Sequence, residues 1–224
     1  MSDLGEDVTA GFERWALTGT TGPALSGAVT FWAVFHLVKA VLAVALLAVL
    51  IVVGCRIWSH AARSRTGSAR AGWGIVGVLG AGLPVVALLV VIANVQGALA
   101  PLSSVLNFLP GDASPAVQQV TAQLAAGTLD AVTGALVDDF RSYHAILVVC
   151  LAVAIVGVIA ASAALWVRRA RIPRDDKRPR RVLLVGALVL PMLLPVLGLL
   201  ALANLSTVED TAPALTLFLD GGGM

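Results

Sequence analysis

The sequence predicts an all-α integral membrane protein whose four transmembrane helices form two tandem parallel helical-hairpin repeats, with amphipathic outer helices. Hydrophobic residues make up 58% of the 224 residues and charged residues only 12%, whereas soluble domains carry about a quarter charged residues. Four apolar stretches are long enough to cross the hydrocarbon core, which takes about 20 helical residues. The recurrence of the same landmarks in the same order predicts the repeat.

The four predicted spans cover about residues 31–55, 72–93, 145–167 and 182–203. Only the first contains any Asp, Glu, Lys, Arg or His, and these are His36 and Lys39 near its start. A helix satisfies its own backbone hydrogen bonds in lipid, and the polar alternation of barrel strands is absent. The spans are therefore predicted to be helices.

Charge is segregated between the predicted loops. The loops between spans one and two and between spans three and four hold 12 of the 15 Lys and Arg residues, and the other segments hold 11 of the 13 acids. Short loops rich in Lys and Arg stay in the cytoplasm. The sequence thus predicts a multi-pass plasma-membrane protein with both termini extracytoplasmic. The acidic N-terminus and the long first apolar run predict no cleavable signal peptide.

The second basic loop, RRARIPRDDKRPRR at 168–181, has two interpretations. It either sets the topology alone or also binds anionic lipids or a cytoplasmic partner. Pro173 and Pro179 predict a short exposed loop here rather than a helix. The candidate contact residues are Arg168, Arg169, Arg171, Arg178, Arg180 and Arg181.

The repeat rests on landmarks shared by the two halves. A histidine preceded by an aromatic residue lies 22 residues before a tryptophan in each half, and an asparagine ends the following span. Two spans per repeat give both copies the same orientation, so an axis along the membrane normal relates them. The matching landmarks are His36, Trp58 and Asn94 in the first half and His144, Trp166 and Asn204 in the second.

The connection between spans two and three is too long for a simple turn. Ser114 is expected to cap a helix that starts at Pro115, and two apolar stripes at helical spacing follow, with a bend near Gly127. This amphipathic segment either covers a binding site or anchors the bundle at the membrane interface. The stripes are Val117, Val120 and Leu124, then Leu129, Val132 and Leu136. The predicted segments are an outer amphipathic N-terminal segment (1–30), the first hairpin (31–109), an outer amphipathic helix (110–139), the second hairpin (140–219) and a disordered tail (220–224).

Ionisable groups inside a span are costly and are therefore functional candidates. Three interpretations of the duplicated histidines stay open. They line the outer vestibule of a non-enzymatic subunit or small channel or transporter, they ligate one b-type haem as axial ligands, or they mark the membrane interface of a structural assembly partner. The outer-vestibule candidates are His36, Lys39, His144, Asn94, Asn204, Asp138 and Asp139.

No motif predicts catalysis, and no metal site other than the alternative haem, with ligands His36 and His144, is expected. Asp138 and Asp139 could pair with Lys39 or Arg141. The expected partners are the bilayer, with anionic lipids at the cytoplasmic loops, and a second copy or another membrane protein, but no nucleic acid. The sequence does not specify a transported species.

Overall fold

The computed structural model describes residues 2–64, 67–80, 82–109 and 114–222. The protein is 91% helical, and the described residues form no strand. The α-helices in these ranges are α1 (Ser2–Thr18), α2 (Pro23–Arg63), α3 (Gly67–Gly80), α4 (Gly82–Leu99), α5 (Pro101–Val105), α6 (Pro115–Ala126), α7 (Ala131–Arg171), α8 (Lys177–Val189), α9 (Leu194–Glu209) and α10 (Thr211–Leu217).

Four helical stretches in the described ranges are long and apolar enough to cross a membrane. They contain the first, third and fourth predicted spans and most of the second, which was placed at 72–93. The all-helical class and the four apolar helices are therefore confirmed. The stretches are Pro23–Ala61, Ile75–Leu99, Ala131–Arg171 and Lys177–Glu209.

The first and third of these helices begin earlier than the predicted spans. Helix α2 starts at Pro23, the kind of residue that suits a first helical turn, and α7 starts at Ala131. The predicted outer helix at 110–139 is therefore two elements. Gly127 ends α6 with a φ of +67°, a conformation that glycine adopts at no steric cost, and Val132 and Leu136 belong to α7.

Prolines shape α8 and the segment after it. Helix α8 begins at Lys177, so the predicted exposed loop is shorter than 168–181. Pro179 lies in the first turn, where a missing backbone N–H removes no intrahelical bond. Further along, Pro191 lies in a 3-10 turn, Leu190–Leu193, which separates α8 from α9.

The chain forms two compact units. The first unit comprises Met1–Lys39, Ala93–Val148 and Leu202–Met224, and the second comprises Ala40–Ile92 and Val149–Ala201.

The core of the first unit is built largely from the amphipathic helices. Helix α6 packs against α1 and α10, and the predicted stripe Val117, Val120 and Leu124 is buried in one hydrophobic cluster with Phe12 and Trp15 of α1. The apolar face of α6 is therefore covered by the protein itself. Ser114 stands at the N-cap position, but its hydroxyl makes no capping bond and lies 3.3 Å from a carboxylate oxygen of Glu13.

The described chain end folds back on the first unit. Phe218–Gly222 forms a turn in which Gly221 has a φ of +80° and leaves the helical conformation, and Leu219 is buried in the same cluster. Residues 220–222 of the predicted disordered tail belong to this turn, and 223–224 lie outside the described residues.

In the second unit, a glycine packs closely against a side chain of the preceding long helix in each half of the chain. A Cβ added to Gly77 would lie 3.1 Å from the Trp58 ring, and a Cβ added to Gly186 would lie 3.3 Å from Leu165 Cδ1. Small residues let membrane helices approach in this way. The Ser162 hydroxyl also donates to the carbonyl of Ala187 at 3.1 Å, so α7 and α8 share a polar contact beside Gly186.

Candidate functional site

The first histidine bonds to the asparagine of the next span. His36 on α2 lies within the first unit, and its Nδ1 is 2.9 Å from Oδ1 of Asn94 on α4. Asn94 is buried, with 4% of its surface exposed. The Trp32 ring meets the His36 ring edge-on, with centroids 4.9 Å apart. A Cβ at Gly97 would come within 2.8 Å of the same ring, so the ring rests directly on the α4 backbone.

The second histidine makes the same bond in the second half of the chain. His144 Nδ1 on α7 is 2.7 Å from Oδ1 of Asn204 on α9. Phe140, four residues before His144, packs on its ring at 4.7 Å, as Trp32 does four residues before His36. Each of these aromatic rings also contacts a phenylalanine 14 residues after the paired asparagine. Trp32 lies 5.0 Å from Phe108, and Phe140 lies 5.7 Å from Phe218.

The chemistry of these pairs fixes the histidine tautomer. An amide oxygen only accepts hydrogen bonds, so Nδ1 donates in both pairs, and Nε2 of a neutral ring keeps its lone pair. Nε2 of His36 is buried and has no hydrogen-bond partner among the described residues. A free Nε2 opposite a bonded Nδ1 is also the arrangement of many metal-ligating histidines. The described residues nevertheless contain no group of three or more His, Cys, Asp or Glu placed to hold a metal ion.

The other outer candidates make separate contacts. The Lys39 ammonium lies 4.9 Å from the centre of the Phe35 ring, a cation–π arrangement. Asp139 Oδ2 accepts from the backbone N–H of Ser103 at 2.7 Å and from its hydroxyl at 2.5 Å. Asp138 is exposed. The expected acidic partner of Arg141 is replaced by Thr211, whose hydroxyl accepts from Arg141 Nε at 3.3 Å.

Two bonds near the histidines involve residues that the sequence did not single out. Gln96, 5% exposed, donates through Nε2 to the carbonyl of Tyr143 at 3.1 Å, which links α4 to α7 beside His144. Trp32 Nε1 donates to the Ser104 hydroxyl at 2.8 Å. The sequence does contain a signal for Gln96. A polar side chain on an apolar helix needs a hydrogen-bond partner, and Gln96 lies two residues after Asn94 on such a helix.

The basic segment 168–181 lies in the second unit as two helix ends joined by a turn. Arg180 on α8 donates through Nη1 to the carbonyl of Ile172, just after α7, at 2.8 Å. The Arg169 guanidinium lies 5.4 Å from the centre of the Trp166 ring. Arg169 and Arg180 are partly buried, and the exposed candidates are Arg168, Arg171, Arg178 and Arg181.

A groove in the first unit runs along α6 and α10, and its lining contains none of the candidate site residues. It is lined by Leu124, Ala125, Ala212, Pro213, Thr216, Leu217 and Asp220. The chain matches no protein-family model, no curated protein and no solved structure.

Proposed function

We propose that the protein is a non-enzymatic, multi-pass subunit of the plasma membrane, with both termini outside the cytoplasm. The observation that carries this proposal is that the histidines and the polar side chains near them form hydrogen bonds between helices. His36 bonds to Asn94, His144 to Asn204, and Asp139 to Ser103. Each bond joins two helices, so these groups are occupied in holding the bundle together instead of facing a substrate.

We also propose that the four spans are two tandem parallel hairpin repeats. Three contacts recur at matching positions and support this proposal. One is the His–Asn pair, and the second is the aromatic ring between each histidine and a distant phenylalanine. The third is a glycine packed on the residue before each tryptophan landmark: a Cβ at Gly77 would lie 3.5 Å from Ile57 Cγ2, and a Cβ at Gly186 3.3 Å from Leu165 Cδ1. The His–Asn partners are 58 residues apart in the first half and 60 in the second.

The test compares a broken pair with a replaced pair. Asn94→Leu leaves the His36 N–H without an acceptor and is expected to lower the free energy of unfolding by about 1–3 kcal/mol. His36→Phe combined with Asn94→Leu removes both polar partners and is expected to recover most of that loss. The same result is expected for Asn204→Leu and for His144→Phe with Asn204→Leu. The measurement is denaturation of the purified protein in detergent.

Ion flux separates the structural role from an outer vestibule. Liposomes that contain the purified protein are expected to show the same flux as protein-free liposomes. Flux that depends on the protein and disappears in the doubly substituted His36→Phe, Asn94→Leu variant would assign the pair to a channel or transporter and overturn the structural proposal.

A second candidate is a b-type haem protein with His36 and His144 as axial ligands. It is favoured by the buried Nε2 of His36, which has no hydrogen-bond partner in the described part of the chain, opposite an Nδ1 already bonded to an amide. A Soret absorbance band in the purified protein, lost in His36→Ala and in His144→Ala, would select this candidate. Its absence after expression with added haem would exclude it.

A further inference from the structure

The turn between α7 and α8 concentrates positive charge. Residues 168–181 contain eight Lys and Arg residues and two acids, Asp175 and Asp176. The two helix ends are fastened together by the bond from Arg180 Nη1 to the Ile172 carbonyl. Their cations are therefore held in one small region of the second unit.

One cation in this region lacks a hydrogen-bond acceptor at a buried atom. Nε of Arg169 is buried, and the described residues provide no hydrogen-bond partner for it. Buried N–H groups in proteins are nearly always bonded, and an exception calls for an acceptor such as a bound water or ion. Because Arg169 as a whole is only partly buried, such a group can come from outside the chain. The guanidinium lies on the Trp166 ring, and 41% of the Trp166 surface is exposed.

Trp166 indicates the depth of this site in the membrane. Tryptophan side chains at the ends of spans lie at the level of the lipid headgroups, and Trp166 is one residue before the end of the third predicted span, 145–167. Arg169 comes less than one helical turn later, so its guanidinium is expected at the depth of the lipid phosphates. A phosphate offers paired oxygens that match the planar edge of a guanidinium.

We propose that Arg169, with the surrounding cations of residues 168–181, binds the phosphate of an anionic phospholipid headgroup. Anionic lipids are enriched in the cytoplasmic leaflet and are attracted by clustered Lys and Arg residues next to a span. A lipid is favoured over an acidic protein because the N–H without an acceptor belongs to Arg169, which packs on the interfacial Trp166. This inference goes beyond the proposed subunit function, and it rests on the proposed orientation, which cysteine labelling tests separately.

The experiment measures lipid binding to the purified full-length protein by native mass spectrometry. Phosphatidylglycerol and phosphatidylcholine are added to the detergent-solubilised protein in equal amounts, and the bound fraction of each is recorded. The wild-type protein is expected to retain phosphatidylglycerol preferentially. Arg169→Gln is expected to weaken this binding about tenfold or more, because it removes both a charge and a paired hydrogen-bond donor.

Arg174→Gln is the matched control. Arg174 lies in the same turn and is exposed, so this change removes the same charge and is expected to weaken binding about fivefold or less. Arg169→Lys keeps the charge but not the paired donors, and it is expected to weaken binding more than Arg174→Gln does. This variant also keeps the test valid if Arg169→Gln fails to fold.

Three results would overturn the proposal. The first is equal retention of the two lipids by the wild-type protein, which would leave an acidic protein as the alternative partner of the basic turn. The second is an equal effect of Arg169→Gln and Arg174→Gln, which would indicate unspecific attraction. The third is displacement of phosphatidylglycerol by millimolar inorganic phosphate, which would indicate a site for free phosphate.

Discussion

A histidine ring that leaves water for the interior of a helical bundle needs a partner for its N–H group, because a buried unpaired donor costs about 1–3 kcal/mol. Asn94 and Asn204 supply that partner for His36 and His144. Each amide comes from the adjacent span of the same chain. The two rings therefore contribute to contacts between helices, and no ligand is needed to account for their Nδ1 atoms.

The sequence identified these four residues but not their pairing. Equal spacing to Trp58 and Trp166 marked the histidines, and the ends of the following spans marked the asparagines. Spacing along the chain does not give the rotation of one helix relative to the next, which depends on how closely they pack. Here the close approach is made at Gly97, a residue with no sequence signal beyond its small size.

Gly97→Ala tests this close approach. The added Cβ would lie 2.8 Å from the His36 ring, so the ring must move away from α4 and its bond to Asn94 weakens. We expect the free energy of unfolding to fall by about 1–3 kcal/mol, as in other overpacked sites. The measurement is chemical denaturation in detergent, followed by tryptophan fluorescence.

Gly134→Ala is the control for Gly97→Ala. Gly134 lies in α7 of the same unit, and a Cβ there would meet no atom within 4 Å. Alanine is favoured over glycine inside a helix, so stability should be unchanged or slightly higher. An equal loss in the two variants would contradict the proposed contact.

The amphipathic helices show where apolar periodicity predicts burial correctly and where it does not. The stripe Val117, Val120 and Leu124 was predicted and is buried. Periodicity places the second stripe in the same outer segment, but Leu129 precedes α7 and is 48% exposed. Periodicity alone does not place the boundary between two helices when both have an apolar face. The boundary is set by local hydrogen bonds at Gly127 and Asp130.

The start of α7 is fixed by Asp130. Its Oδ1 accepts from the backbone N–H of Thr133 at 2.8 Å, and its Oδ2 accepts from Gln123 Nε2 at 2.8 Å. The Thr133 hydroxyl donates to Oε1 of Gln123 at 2.7 Å. An aspartate directly before the first residue of a helix, as Asp130 is before Ala131, is a recognisable N-terminal signal. These bonds connect α6 to the beginning of the third span.

Removing the Asp130 carboxylate is expected to destabilise the junction of α6 and α7. Asp130→Ala should lower the free energy of unfolding by about 1 kcal/mol at neutral pH, the usual cost of losing an N-cap. The bonds from Thr133 and Gln123 lower the pKa of the Asp130 carboxyl below its usual value. Its contribution is therefore present above the unfolded-state pKa and is lost as the pH falls through the lower folded-state pKa.

The measurement is thermal unfolding of the wild type and two variants from neutral pH to about pH 3, below the ordinary aspartate pKa of about 3.9. The stability difference between the wild type and Asp130→Ala should shrink at the acidic end of this range. Asp130→Asn is the control, because its amide oxygen still caps the helix but does not titrate. A constant difference between the wild type and Asp130→Ala at all pH values would contradict this role.

Composition alone predicts the four apolar helices, because every span must be long and apolar enough to cross the lipid. The positions of the helix ends were less predictable. Helices α2 and α7 begin in the first unit, before the apolar residues of their predicted spans. Those first turns pack against other helices, so their residues need not be as apolar as residues that face lipid. The segregation of charge between the loops predicts which ends of the helices face the cytoplasm.

Single cysteines test the orientation in intact cells. Cys55 and Cys150 are first replaced by alanine, and Ser68→Cys or Ser206→Cys is introduced at an exposed position. A membrane-impermeant maleimide should label Cys at position 206 directly and Cys at position 68 only after permeabilisation, because Lys and Arg retain their loops inside. Direct labelling at position 68 would place the basic loops outside and reverse the proposed topology.

The two His–Asn bonds also bear on the order of events during synthesis. Each joins successive spans, so the bond at Asn94 can form once α4 has been inserted, before the ribosome has translated the later half of the chain. The codon for Asn204 is read 110 positions after that for Asn94, which corresponds to roughly 5–20 s at typical rates of synthesis. During this interval the first half of the chain can already form its own His36–Asn94 hydrogen bond. His36 therefore does not need a partner from the part of the chain that has not yet been synthesised.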